Sequence, residues 1–271
     1  MTKATPESVS NMDDRIDRER QFHNREYQDQ SRSKVWSYYA VARRCYDDYH
    51  ALLTRHCRDR RVLEYGCGSG SAAPLLARSG GKVTGIDLSE VAIDQARDAA
   101  RAQGLDIEYR VMNAEAMTFD DRSFDLICGS GILHHLDLES AYRELARTLR
   151  PGGIAVFAEP LGHNPAINAY RRLTPGLRTP DEHPLVLRDF ALARRYFRGV
   201  EVQHYTLFPL ALIPMRRAKL LRRLLPLFEA LDDAAFSAIP FVRRFAWCSI
   251  ITLSDPHAHE PSPPSGVSPA A

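Results

Sequence analysis

The feature that most constrains this chain is the run Arg61-Val62-Leu63-Glu64-Tyr65-Gly66-Cys67-Gly68-Ser69-Gly70. A short apolar segment ends on a carboxylate, and three glycines follow at alternate positions before an alanine- and leucine-rich stretch opens at Ser71. The order is strand, tight turn, helix start, which lets a backbone come close to a nucleotide-like ligand. The glycines read G-x-G-x-G and not the G-x-G-x-x-G of dinucleotide binders, which weakens a pyrophosphate reading. A second apolar run then ends on Asp87. An acid placed about twenty residues past a glycine turn can accept hydrogen bonds from both hydroxyls of an adenosine ribose.

From Arg61 onward the pattern alternates. Residues 61–65, 82–86, 107–112, 124–128 and 154–158 predict strands, and 71–79, 90–103 and 138–149 predict the helices among them. Ser89 is placed to cap the second helix and Gly104 to end it. Pro151-Gly152-Gly153 stops the third and turns the chain into the next strand. Such alternation predicts an α/β fold on a parallel, doubly wound sheet. Beyond it, 188–197 reads as a helix and 200–207 and 245–253 as strands, separated by two insertions at 160–187 and 208–240. The first is too long for an ordinary loop and is expected to hold a short helix at 165–173. The second carries a basic, leucine-rich amphipathic helix at 215–231. Upstream, 13–58 reads as a helical cap on a domain spanning 59–254, and the polar ends 1–12 and 255–271 are expected to be disordered.

Composition narrows the function classes. With 44% hydrophobic and 26% charged residues the chain is an ordinary globular one, and a net charge of +2 is too small to argue for nucleic acid. The five cysteines (Cys45, Cys57, Cys67, Cys128, Cys248) have no metal-ligand spacing. An odd, scattered set suggests reduced thiols, hence a cytoplasmic location. A polar N-terminus argues against a signal peptide, and no apolar run approaches the roughly 18 to 20 residues of a spanning helix.

Taken with Asn113-Ala114-Glu115 and the later Ser123-Phe124-Asp125 and Leu133-His134-His135-Leu136, the glycine turn and Asp87 resemble the class I S-adenosylmethionine (SAM)-dependent methyltransferases of small molecules. The resemblance implies a Rossmann-like sheet of seven strands whose last two are antiparallel, N-terminal helices over the cofactor, and helical lid insertions. It implies SAM as cofactor and S-adenosylhomocysteine as its product. Glu64 would then lie by the methionine amino group, with Gly66, Cys67, Gly68 and Gly70 under the methionine and ribose. Asp87 would hold the ribose and Leu88 would pack on adenine. Asn113 would meet the exocyclic amine, with the Ala114 N–H at a ring nitrogen and Glu115 beside it. Gly129 and Ser130 would flank the sulfonium. Family members often carry Asp where Asn113 stands, and an amide oxygen still accepts.

Four residues are candidates for a general base: His135, Glu159, His163 and His183. Histidine near its ordinary pKa can take a proton from a hydroxyl or amine. The alternative for the His134-His135 pair is that it merely closes the turn after a strand. Arg171 and Arg172 could pair with Asp181 and Glu182, or with an acidic substrate. His23, Tyr27, Tyr38 and Tyr39, on the N-terminal helices, are candidates for closing the pocket. No metal site is legible. The acceptor is expected to be a small molecule, and neither the atom methylated nor the oligomeric state can be read. Two other classes stay open: an NAD(P)-dependent oxidoreductase on a similar sheet, and a non-catalytic or membrane-associated protein whose basic helix lies on anionic lipid without inserting.

Overall fold

A computed structural model of the chain describes residues 6–29, 37–177, 179 and 181–257. Seven strands form: β1 (Arg61–Tyr65), β2 (Lys82–Asp87), β3 (Ile107–Val111), β4 (Phe124–Ser130), β5 (Leu149–Pro160), β6 (Phe197–Tyr205) and β7 (Cys248–Pro256). They make one sheet in the order β3-β2-β1-β4-β5-β7-β6. The first five strands pair in parallel, and β7 runs antiparallel to both β5 and β6. The expected α/β sheet with its antiparallel last pair is therefore present.

The apolar runs are explained by burial on both faces. Side chains alternate along a strand, so Val62, Leu126, Val156 and Ile250 enter one apolar cluster while Leu63, Ile127, Phe157 and Ile251 enter the other. Helices α1 (Pro6–Asp29), α2 (Arg43–Cys57), α3 (Ala73–Arg78), α4 (Glu90–Ala102), α5 (Leu138–Thr148), α6 (Pro165–Leu173), α7 (Leu187–Ala193) and α8 (Leu221–Ala238) complete the fold. On α2 the buried residues are Cys45, Tyr49, Leu53 and Cys57, one apolar stripe at four-residue spacing. The Ser89 hydroxyl accepts from the Ala92 N–H at 3.1 Å, which starts α4 where the sequence places its cap.

Three boundaries differ from expectation. α1 starts at Pro6, inside the stretch read as disordered, and β7 runs to Pro256, into the stretch read as tail; the rest of those two terminal stretches, 1–5 and 258–271, lies outside the described residues. The basic helix forms at 221–238, not 215–231. Its Leu221 and Leu225, with Leu212 just upstream, are buried with Trp247 and the α2 residues in one cluster. Its buried Asp232 accepts from the N–H groups of Leu207 (3.0 Å) and Phe208 (2.8 Å), which fixes the insertion to the end of β6. Among the described residues no helix is long and apolar enough to cross a membrane.

Candidate active site

A cavity of about 480 Å³ opens at the carboxyl ends of β1, β2 and β4, where the strand order reverses. Its floor is the glycine turn. Gly66 and Gly68 have φ of +71° and +53°, a region that side chains with a Cβ disfavour. A Cβ at Gly66 would lie 2.5 Å from the Ile132 side chain, and one at Gly68 would strike the Tyr27 hydroxyl. Asp87 ties this turn to β2, because one carboxylate oxygen accepts from Gly68 N–H at 2.8 Å and the other from Ser89 N–H at 2.9 Å. Each oxygen has a further lone pair, and Asp87 lines the cavity, so ligand hydroxyls can still be accepted there.

Cys67, Leu88, Asn113, Ala114, Glu115 and Ser130 continue the lining. The Asn113 amide oxygen accepts from Glu115 N–H at 3.0 Å, a local turn that commits one of its lone pairs. The buried Tyr65 hydroxyl donates to the Ala114 carbonyl at 2.7 Å and fixes the orientation of that peptide.

Glu64, Gly70 and Gly129 do not line the cavity. Glu64 is buried and accepts from the Ser71 hydroxyl (2.5 Å), Ala72 N–H (2.6 Å) and Ala73 N–H (2.8 Å), donors that the start of α3 would otherwise leave unpaired. Burial raises its pKa against the pull of these donors. The Gly70 N–H closes the turn onto the Cys67 carbonyl at 2.9 Å. A Cβ at Gly129 would sit 2.7 Å from the Tyr65 carbonyl oxygen, so glycine there serves strand packing.

The roof is α1. Arg15, Glu19, His23 and Tyr27 follow at four-residue spacing, with Ile16 and Glu26 beside them, and all six line the cavity. Arg15 reaches down to Glu115 at 2.5 Å and donates to the His135 carbonyl at 3.2 Å. Asn24 bonds both Ser89 and Glu90, and Gln95 donates to the Tyr27 carbonyl at 3.2 Å. Arg18 pairs with Asp181 of the first insertion at 3.1 Å. The insertion therefore braces the roof from outside, and among the described residues neither insertion lines the cavity.

Of the four candidate bases only His135 faces the cavity. Its Nδ1 lies 3.3 Å from Glu19 Oε2, and His23 Nε2 lies 3.2 Å from the same oxygen. Burial, and then the neighbouring His134, lower the His135 pKa to about 4, which leaves the imidazole neutral at neutral pH. For Glu19 burial acts upward, but His135, His23 and Thr179 outweigh it and hold the carboxyl well below its usual range. Glu159 is buried at the end of β5. One oxygen accepts from the N–H groups of Ile132 and Leu133 at 2.8 Å each, and the other meets His134 Nδ1 at 2.7 Å. Burial pushes its carboxyl up to about 7. It shapes the short turn Leu133–His135 from below and does not reach the cavity.

His183 and His163 are likewise away from it. The His183 N–H donates to the His134 carbonyl at 2.8 Å, and the His163 ring accepts from Leu187 N–H at 3.3 Å. The insertion folds back beside β5, where Leu161 bridges to Leu185, and Arg171 pairs with Glu182 at 2.9 Å. Tyr39 stacks on Trp247 in the core, with ring centroids 5.2 Å apart. The sequence reading missed Arg15, Glu19 and Gln95. The Glu19-x-x-x-His23 spacing on a helix was the available signal for one of them.

A cavity of this size suits a cofactor together with part of a small substrate. Its floor admits a close-lying ligand only because Gly66 and Gly68 lack a Cβ, and its first acid stands where ribose hydroxyls would be held. The residues present therefore fit an adenosine-bearing ligand such as SAM.

This sheet is that of a Rossmann-like methyltransferase fold. Residues 63–157 match the family model described as a methyltransferase domain. The chain is 36% identical over 102 residues to the ubiquinone biosynthesis O-methyltransferase of Coxiella burnetii (strain Dugway 5J108-111), covering 37% of this chain and 44% of that one. It is 37% identical over 120 residues to the protein of the same name from Alkalilimnicola ehrlichii, covering 44% and 48%. The chain thus spans about half the length of the curated relatives it matches. In fold it is similar to geranyl diphosphate C-methyltransferase from Streptomyces coelicolor A3(2), solved with Mg2+, geranyl diphosphate and S-adenosyl-L-homocysteine. There the TM-score is 0.57 at 17% identity, over 79% of this chain and 82% of that one. Residues 63–157 thus match a methyltransferase domain, and the sheet that holds them has a Rossmann-like methyltransferase fold.

Proposed function

We propose that this chain methylates a hydroxyl group on a small molecule, with SAM as the donor and S-adenosylhomocysteine as the product. The single observation that carries the reading is the floor of the cavity. A glycine turn is locked by Asp87 at the end of β2, inside the stretch that matches the methyltransferase family model. The preference for an oxygen acceptor is supported by the relatives, which are named O-methyltransferases.

In this reading Asp87 holds the ribose, Asn113 and Ala114 meet the base, and the 66–68 backbone runs beneath the rest. Bound there, SAM supplies a methyl group on a sulfonium, whose loss leaves a neutral thioether. The chain then has to orient the acceptor and exclude water, and α1 does both by covering the floor. The hydroxyl has to shed a proton, and the wall formed by Glu19, His23 and His135 offers acceptors for it. Glu159 acts indirectly, as a positioning residue for the turn that carries His135.

The test is calorimetric titration of the protein with S-adenosylhomocysteine and, separately, with NADH and NADPH. Binding of the first alone, followed by transfer of label from SAM to a hydroxylated aromatic acceptor, is the expected outcome. Binding of a nicotinamide cofactor without S-adenosylhomocysteine would overturn the reading.

A further inference from the structure

We propose that Glu19, His23 and His135 form a site for a divalent cation of the zinc class in the wall of the cavity. One donor atom from each residue lies within 4.8 Å of the others. Glu19 and His23 are one turn apart on the same face of α1, and the short turn Leu133–His135 brings His135 up from the end of β4. The two nitrogens stand 3.2 and 3.3 Å from one carboxylate oxygen. Metal bonds of ~2.1 Å at a tetrahedral angle put ligand atoms about 3.4 Å apart, which is close to this spacing.

The second observation is that these atoms are orphans. Glu19 and His135 are 4% and 7% exposed, yet neither Glu19 oxygen nor His135 Nδ1 has a partner in hydrogen-bonding alignment. They stand close enough for ion pairing but point off the hydrogen-bond directions. Buried polar atoms left in this way normally have something that completes them. A cation bound by all three would do so.

The donor set also selects the ion. Two imidazoles and one carboxylate with open positions suit zinc, or iron, cobalt or manganese in the divalent state, and there is no thiolate to favour a softer metal. The neighbouring cationic group, Arg15, is already neutralised by Glu115. A second grouping, His134, His135 and Glu182, shares His135, but its other members are engaged: His134 by Glu159 at 2.7 Å and Glu182 by Arg171 at 2.9 Å. Because all three proposed ligands line the cavity, an open coordination position would face the bound molecules. There the cation would take the acceptor hydroxyl as a ligand and make its proton easier to lose, to solvent or to the Glu19 oxygen that is not a ligand. That role rests on the methyl-transfer reading; the site rests on geometry alone.

The test uses the full chain freed of metal by a chelator and titrated calorimetrically with Zn2+, alongside His23→Ala, Glu19→Gln and the exposed-histidine control His56→Ala. One equivalent should bind the unaltered protein and His56→Ala alike, with affinity at least 100-fold lower in His23→Ala and Glu19→Gln. X-ray absorption on the zinc-loaded unaltered protein needs no variant, and should show two imidazole nitrogens and oxygen around the ion. Absence of binding, equal binding in all four proteins, or a shell without imidazole would overturn the site. Titration of the same samples with S-adenosylhomocysteine separates the two ideas. Cofactor binding without zinc binding sinks the metal site alone, and zinc binding without cofactor binding sinks the methyl-transfer reading alone.

Discussion

The floor and the roof of the cavity are built on opposite principles. The floor is backbone: a left-handed glycine turn, the ends of parallel strands, and Asp87 holding the turn in place. The roof is side chain: Arg15, Glu19, His23 and Tyr27 hang from a single helix and meet the body through the Arg15–Glu115 ion pair, the Glu19–His135 contact and ring contacts. A backbone floor is rigid and tolerates little substitution. A roof held by side-chain contacts, from the buried Arg15–Glu115 pair to the half-exposed Arg18–Asp181 pair, is open to adjustment by pH and ligand. The difference suggests a division of labour in which the floor fixes one ligand and the roof adapts to another.

Asp87→Ala should give the largest effect, because it removes two hydrogen bonds to a charged acceptor as well as the ligand contact. Each such bond contributes about 1.5 to 3 kcal/mol, so S-adenosylhomocysteine affinity should fall by about 100-fold in calorimetry. An unchanged affinity would mean that the floor does not hold the ligand. Gly68→Ala comes next, at roughly tenfold, from the cost of about 1 to 2 kcal/mol for a side chain in the left-handed region. Its clash is with the Tyr27 hydroxyl, so adding Tyr27→Ala should recover part of the loss. A strictly additive double mutant would show that roof and floor do not touch there.

Arg15→Met tests the roof by itself. It strips the buried Glu115 of its ion partner, and affinity should fall by a few-fold, more at low salt than at high. Equal losses at both would point to packing and not charge. Glu159→Gln should disturb ligand binding least and pH behaviour most. Burial raises this carboxyl from 4.5 to about 7, so the protonated form is favoured in the fold. Its contribution to stability is complete below about pH 4.5 and is lost as pH rises through 7. The unaltered protein should therefore lose several degrees of melting temperature between pH 5 and pH 8, and Glu159→Gln should flatten that slope. A slope left intact by the substitution would assign it to another group.

The two parts of the cavity were also unequally legible in the sequence. The floor could be read because strand, turn and helix are local patterns: Arg61 to Gly70 and Asp87 lie within 27 consecutive positions. The roof is made by pairs such as Arg15 and Glu115, 100 positions apart, and no periodicity encodes such a meeting. Glu64 shows a different limit. A carboxylate at a strand end serves a ligand or the next helix equally well on paper, and the free donors at the start of α3 decide for the helix. The second insertion was correctly read as amphipathic, but amphipathicity does not name its partner. Its leucines meet Trp247 and α2 instead of covering the cavity. Glu159 and His183 sit at the strand end and in the loop where the sequence puts them, but neither lines the cavity: Glu159 meets His134, and the His183 ring lies by the Asp181 carbonyl.

One helix overlies the glycine turn and also supplies part of the wall beside His135. In the methyl-transfer reading proposed above, donor and acceptor would therefore enter past a common door. Anything that loosens the amino-terminal helix, whether a fused affinity tag or loss of the Arg18–Asp181 brace, should speed the exchange of both molecules in step.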